Sequence, residues 1–304
     1  MRSRGSDEYE AILELIPANW SDPSDSLEVI RAKFAMVHGQ DPGAGVRVEP
    51  DDHGVWVRPE GAHDDRVALF AHGGGFVTSP CDSYTFWGAH VARHCGLPTL
   101  IVEYRLAPET VFPGQLDDLV AAHDALLRSG TDPARIVFVG DSCGGGLAVA
   151  TMLRQRERGR PLPAAFVGAG GWYDLEATAV DGPGADPFVD PDWLRCRGRD
   201  YVGPSGDPAH PLASVVHADP TGLPPLLLQT GEVDPCLPGA RTLAENAIRC
   251  GGSATVDVVA AVAQGFQGMA GIPEAEQAWA RIRTFIDTHA PPHPGPIRAS
   301  PAGR

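Results

Sequence analysis

Ile136-Val137-Phe138-Val139-Gly140-Asp141-Ser142-Cys143-Gly144 is the stretch on which the fold turns. From Ile136 to Val139 it is apolar without alternation, as in a strand buried on both faces, and from Gly144 to Arg158 the pattern becomes helical. A strand that runs through G-x-S-x-G directly into a helix is a nucleophile elbow. Its glycines permit a cramped turn that exposes the serine hydroxyl, at the start of a helix whose dipole favours negative charge. The flanking strand and helix, more than the bare motif, carry the reading.

Outward from the elbow the same alternation repeats. Short apolar runs at Val67 to Ala71, Leu100 to Val102, Ala164 to Val167 and Leu226 to Leu228 each end near Gly or an acid. Between and after them lie helix-patterned segments at Thr85 to His94, Gln115 to Arg128, Gly239 to Arg249 and Glu274 to Thr288. Buried strands alternating with helices imply an α/β fold with a mostly parallel sheet and right-handed crossovers. Upstream, Val46 and Val48, then Val55 and Val57, alternate as half-buried strands do. Ahead of these, from Asp7 to about Val37, the spacing of Ile12, Leu13, Leu15 and Ile16, and then of Leu27, Ile30 and Phe34, predicts two amphipathic helices broken between Trp20 and Ser26. The segment from Thr178 to Pro220, rich in Gly, Pro and Asp, fits an insertion better than a sheet unit. The end from 290 to 304 has no periodicity and is expected to be a mobile tail.

Composition narrows the function. The 304 residues are 43% hydrophobic and 21% charged, enough for a full core, and the formal charge of -15 with no basic cluster argues against nucleic acid as a partner. No apolar stretch approaches the roughly 20 residues of a membrane helix, and no apolar run follows the N-terminal arginines, so a cytoplasmic protein without membrane contact is expected. Cys81, Cys95, Cys143, Cys196, Cys236 and Cys250 form no C-x-x-C pair, so neither a metal site nor a disulfide framework is indicated, and no cofactor motif occurs.

His72-Gly73-Gly74-Gly75-Phe76 follows the Val67 to Ala71 strand. Consecutive glycines let backbone N–H groups approach a ligand, which is what an oxyanion hole requires. With the elbow downstream, this pair resembles the hormone-sensitive-lipase-like (GDxxG) branch of the α/β-hydrolases. Further matches are Tyr104 to Glu109 with Phe112-Pro113, Trp172 and Asp174, Leu223-Pro224-Pro225, and Gly231-Glu232-Val233-Asp234-Pro235, so the likeness spans Val67 to Phe285. It implies Ser142 as nucleophile, the N–H groups of Gly74, Gly75 and Cys143 as the oxyanion hole, and Asp234 as the triad acid. It also implies a helical cap made from residues 1–43 and an insertion at about 178–220, on a core of 44–289. Arg105 and Glu109 then read as structural, in an ion pair or loop brace.

The departure is at the triad base. The family pattern is His-Gly-Phe, and here Gln264-Gly265-Phe266 stands thirty residues after Asp234. A glutamine amide can accept from Ser142 and donate to Asp234, keeping the hydrogen-bond chain, but it carries no proton at neutral pH. Only His210 or His217, through a folded-over cap, offers a substitute base. The expected function is therefore carbonyl chemistry on a small ester, lactone or related acyl substrate, with hydrolysis weakened by Gln264. Two alternatives use the same scaffold: elimination, dehydration or cyclisation of a carbonyl compound, and catalytically silent binding. A homodimer is compatible with the sequence.

Overall fold

A computed structural model describes residues 4–16, 20–62, 65–177 and 186–292. The expected residues 178–185 of the insertion and 293–304 of the tail lie outside these. The chain opens with helices α1 (Asp7–Leu13) and α2 (Leu27–His38) and an antiparallel pair of strands, β1 (Val46–Asp51) and β2 (Gly54–Pro59). Then follow β3 (Val67–Ala71), α3 (Thr85–Cys95), β4 (Thr99–Val102), α4 (Gly114–Arg128), β5 (Ile136–Asp141), α5 (Cys143–Glu157) and β6 (Ala165–Ala169). The last third holds α6 (Pro191–Val202), β7 (Leu226–Gly231), α7 (Leu237–Arg249), β8 (Ala254–Val259) and α8 (Pro273–His289).

These strands form one eight-stranded sheet in the order β1-β2-β4-β3-β5-β6-β7-β8, parallel from β4 to β8. Alternate residues of one strand serve opposite faces: Leu69 and Ala71 join the core under α4, α5 and α7, while Ala68 and Phe70 join the core under α3 and α8. Both faces being covered, the strands read as unbroken apolar runs.

Strand order places the site. From β3 the chain steps outward to β4 and then returns past β3 to β5, so successive crossovers leave in opposite directions and a crevice opens at the carboxyl ends of β3 and β5. Ala71 pairs with Gly140 there, which sets His72 to Gly75 beside the elbow.

Two elements had no counterpart in the sequence reading. β8 is an edge strand that alternates in burial and carries Thr255 and Asp257, so it lacks the apolar run used to find the others. α6 lies within the segment read as an insertion, with Trp193, Leu194, Arg197 and Tyr201 buried. In the N-terminal region Tyr9, not Leu15, is the buried anchor; Leu15 lies beyond the end of α1 and is 82% exposed. α2 reaches α6 through Phe34, whose ring stacks on Trp193 with centroids 5.8 Å apart, and Ser21 Oγ accepts from the N–H of Asp190 at the start of α6.

Candidate active site

Ser142 sits between β5 and α5 at φ 49°, ψ -122°, a left-handed conformation that costs a non-glycine residue energy and is held by its surroundings. Its N–H donates to Ala169 O at 3.1 Å, and its carbonyl accepts from Gly145 at 2.9 Å and from Trp172 at 2.7 Å. Gly144 is required by close packing, since a Cβ there would collide with the carbonyl of Ala71. Cys143, the first residue of α5, turns its side chain into the core and is fully buried. Its Sγ accepts from the Phe76 N–H at 3.2 Å, and burial pushes the thiol up to about 12, so it stays protonated and is no rival nucleophile.

Beside the elbow, Gly74 and Gly75 adopt φ 100° and 61°. Gly75 lies directly under α6: a Cβ would stand 2.6 Å from Trp193 Cη2 and 3.2 Å from Arg197 Cγ. The loop is braced from behind. His72 stacks on Tyr104 with centroids 4.0 Å apart, Tyr104 Oη donates to His72 O at 2.8 Å, and Phe76 stacks on Tyr201 of α6. Tyr84 Oη donates to Asp141 Oδ2 at 3.1 Å, while burial pushes the Asp141 carboxyl up to about 7. Arg105 and Glu109 do not pair with each other. Arg105 grips Asp118 at 2.8 Å, and Glu109 binds Arg31 of α2 at 2.7 Å, whose Nε also donates to Val77 O at 2.9 Å.

Gln264 follows β8, on the loop before α8, and it is the side chain that meets the serine. Its Nε2 lies 3.0 Å from Ser142 Oγ and 3.1 Å from Gly170 O. A backbone carbonyl can only accept, so the end of the amide facing Gly170 is the NH₂ group, and Ser142 Oγ receives a hydrogen bond where acceptance from the hydroxyl was expected. The expected bond from Gln264 to Asp234 does not form either. Asp234 Oδ2 accepts from Thr230 Oγ1 at 2.7 Å, and Oδ1 accepts from the Cys236 N–H at 2.7 Å. Gln264 and Asp234 still flank the same residue, Gly170, where a Cβ would stand 2.9 Å from Gln264 Cγ and 3.3 Å from Asp234 Oδ2. Burial pushes the Asp234 carboxyl up to about 7.

Asp186 escaped the sequence reading because no motif marks it. It accepts from the N–H groups of Gln264 at 2.7 Å, Phe188 at 2.8 Å and Val189 at 3.1 Å, tying the segment before α6 to the Gln264 loop. Burial first, and the charge of Asp234 second, push its carboxyl up to about 8. Neither alternative histidine reaches the serine. His210 is exposed, accepts from the Leu212 N–H at 3.1 Å and packs on Phe112, and His217 is exposed with Nε2 3.9 Å from Glu176. Among the described residues no helix is long and apolar enough to cross a membrane.

Residues 68–268 match a family described as having the alpha/beta hydrolase fold. The chain is 35% identical over 262 residues to an acetyl-hydrolase of Streptomyces hygroscopicus, covering 83% of this chain and 86% of that protein. It is 28% identical over 224 residues to an esterase of Acinetobacter venetianus, covering 72% and 74%. Among solved structures, an esterase from the bacterial hormone-sensitive lipase family is 34% identical and superposes with a TM-score of 0.86 over 95% of this chain and 100% of that one. By this family match and these relatives, the chain belongs to the hormone-sensitive-lipase-like branch of the α/β-hydrolase fold family.

Proposed function

We propose that this protein acts at the carbonyl of a small carboxylic ester, lactone or related acyl compound and hydrolyses it slowly. Ser142 is the nucleophile, the N–H groups of Gly74, Gly75 and Cys143 receive the oxyanion, and Asp234 and Gln264 stand where the triad acid and base are expected. Support comes from relatives that are acetyl-hydrolases and esterases, and from a half-buried serine on a strained turn beside a glycine loop. The observation that carries the reading is the bond from Gln264 Nε2 to Ser142 Oγ.

That bond sets the chemistry. When Ser142 Oγ attacks a carbonyl carbon, its proton must leave; an amide N–H already donating to Oγ cannot take it, so the proton goes to water or hydroxide. The leaving alkoxide likewise takes a proton from water. Oxyanion stabilisation survives, and in serine hydrolases stripped of triad groups it sustains with binding roughly 10³ to 10⁴ over the uncatalysed rate. Esters with good leaving groups are therefore the substrates this arrangement can turn over.

The same polarity favours a second reading, in which the donors polarise a carbonyl for elimination or cyclisation without acyl transfer. It differs in outcome: Ser142→Ala abolishes the covalent route, whereas Asp234→Asn is the more damaging change for the non-covalent one.

The deciding experiment is hydrolysis of p-nitrophenyl acetate and butyrate by this protein and by Gln264→His. The expected result is slow turnover that rises by about 10² to 10⁴ in the histidine variant, the range of a general base. Equal and rapid turnover by both proteins overturns the assignment of Gln264; no turnover by either overturns the ester reading.

A further inference from the structure

Arg197 is the second buried arginine among the described residues, the first being Arg66. Arg66 is satisfied: its Nη1 donates to Asp287 at 2.6 Å and to Ala290 O at 2.8 Å. Arg197 is not. Its Nε and Nη2 hold Asp200 at 2.8 Å and 2.7 Å, but Nη1 is buried and has no hydrogen-bond partner. The side chain is only 9% exposed, and leaving guanidinium N–H groups out of water without an acceptor is costly. Its place is specific. Arg197 lies one helical turn from Trp193 on the buried face of α6, with its stem over Gly75 of the oxyanion loop and its guanidinium carbon 5.5 Å from the Trp193 ring centre. Everything else on that face is apolar or aromatic: Trp193, Leu194 and Tyr201. Asp200 takes up two of its nitrogens, and the remaining N–H, on a side chain whose stem overlies Gly75, is free to hold an oxygen acceptor that arrives with the substrate.

We infer that Arg197 binds a carboxylate on the substrate, so that the site takes half-esters of short dicarboxylic acids in preference to neutral alkyl esters. The inference rests on the proposed carbonyl site and names its substrate class. Carboxylate is favoured over a neutral acceptor because guanidinium and carboxylate match in shape and charge, and because the bond forms in a buried setting.

Because Gln264 slows turnover, binding can be read directly by calorimetry and thermal shift on the natural protein. The probes are monoethyl succinate, which carries a charged acceptor, diethyl succinate, which carries a neutral one, and ethyl butyrate, which carries none. The expected result is that monoethyl succinate binds roughly tenfold to a hundredfold tighter than either neutral ester, the range of one charge-assisted hydrogen bond. Arg197→Met erases the preference and Arg197→Lys keeps part of it. Equal binding of the three probes, or a preference that persists in folded Arg197→Met, overturns the inference. Should Arg197→Met fail to fold, loss of the preference on raising salt with the natural protein stands in, and a salt-independent preference counts against it. Gln264→His separates this from the parent reading: hydrolysis of all three esters without preference defeats only the carboxylate, and Arg197-dependent binding without hydrolysis of any defeats only the ester.

Discussion

The amide of Gln264 donates to Ser142 Oγ across 3.0 Å and to Gly170 O across 3.1 Å, so one NH₂ group bridges the serine to the chain that follows β6. A histidine in a working triad does the reverse, accepting the serine proton on one nitrogen while donating from the other. The bridge leaves Ser142 acylable by strong electrophiles and deprives it of a titrating partner. A fluorophosphonate probe should therefore label Ser142 at a rate that climbs with pH in step with hydroxide. In Gln264→His the rate should be faster and level off once the imidazole has lost its proton. Labelling kinetics followed by mass spectrometry from pH 5 to 9 distinguish the two curves, and Ser142→Ala should remove the label altogether.

Asp141 supplies a pH test of the fold. Its carboxyl is pushed up to about 7 by burial, above its ordinary 3.8, with Tyr84 opposing the shift. The folded chain thus holds a proton there that the unfolded chain releases, so this contribution to stability is complete below about 3.8 and is lost as pH rises through about 7. Asp141→Asn keeps an acceptor for Tyr84 and cannot ionise. Thermal melts should show the natural protein losing several degrees more than the variant between pH 5 and 8; parallel curves would remove Asp141 from the account.

Gly75→Ala should disable the oxyanion loop. Its φ of 61° resists a side chain, and the added Cβ meets Trp193 at 2.6 Å. Measured in the Gln264→His background, kcat should drop by about 10² to 10³, as when an oxyanion donor is lost elsewhere. Adding Trp193→Ala relieves the contact but not the backbone angle, so rescue should be partial at most.

Arg31 joins α2 to the backbone beyond the oxyanion loop through Val77 O, and to Glu109 in a half-exposed pair. Exposed pairs contribute about 0 to 1 kcal/mol, so Glu109→Gln should cost little. Arg31→Ala also frees two carbonyls, of Val77 and Ala107, and should cost about 1 to 2 kcal/mol in urea unfolding. Faster amide exchange should appear in α2 of that variant; equal costs for both would place the value in the ion pair alone.

Strands that lie inside the sheet were legible because covering both faces leaves no polar position: β3 is found at Val67 to Ala71 as read, and β5 and β7 run only a few residues past their apolar cores. β8 was missed because an edge strand keeps one side wet, and Thr255 and Asp257 dilute its pattern. The positions of Ser142, Gly74, Gly75, Cys143, Asp234 and Gln264 could be read from motifs tied to strand ends, and they converge in space. What could not be read is polarity. The direction of the Gln264 bond depends on Gly170 O, a backbone atom that no side-chain pattern reports. Asp186 and Arg197 belong to a segment whose Gly, Pro and Asp content suppresses periodicity, and Arg197 is one of three alternating arginines, with Arg195 and Arg199, of which the fold buries only this one.

Tyr9 Oη accepts from the N–H of Ala263, the residue before Gln264, and Ser6 is bound by both carboxylate oxygens of Glu274. Two residues ahead of α2 are thus tied to the last fifth of the sequence. Loss of Ser6 or Tyr9 is therefore a disturbance delivered to the far end of the polypeptide, beside the glutamine that meets Ser142.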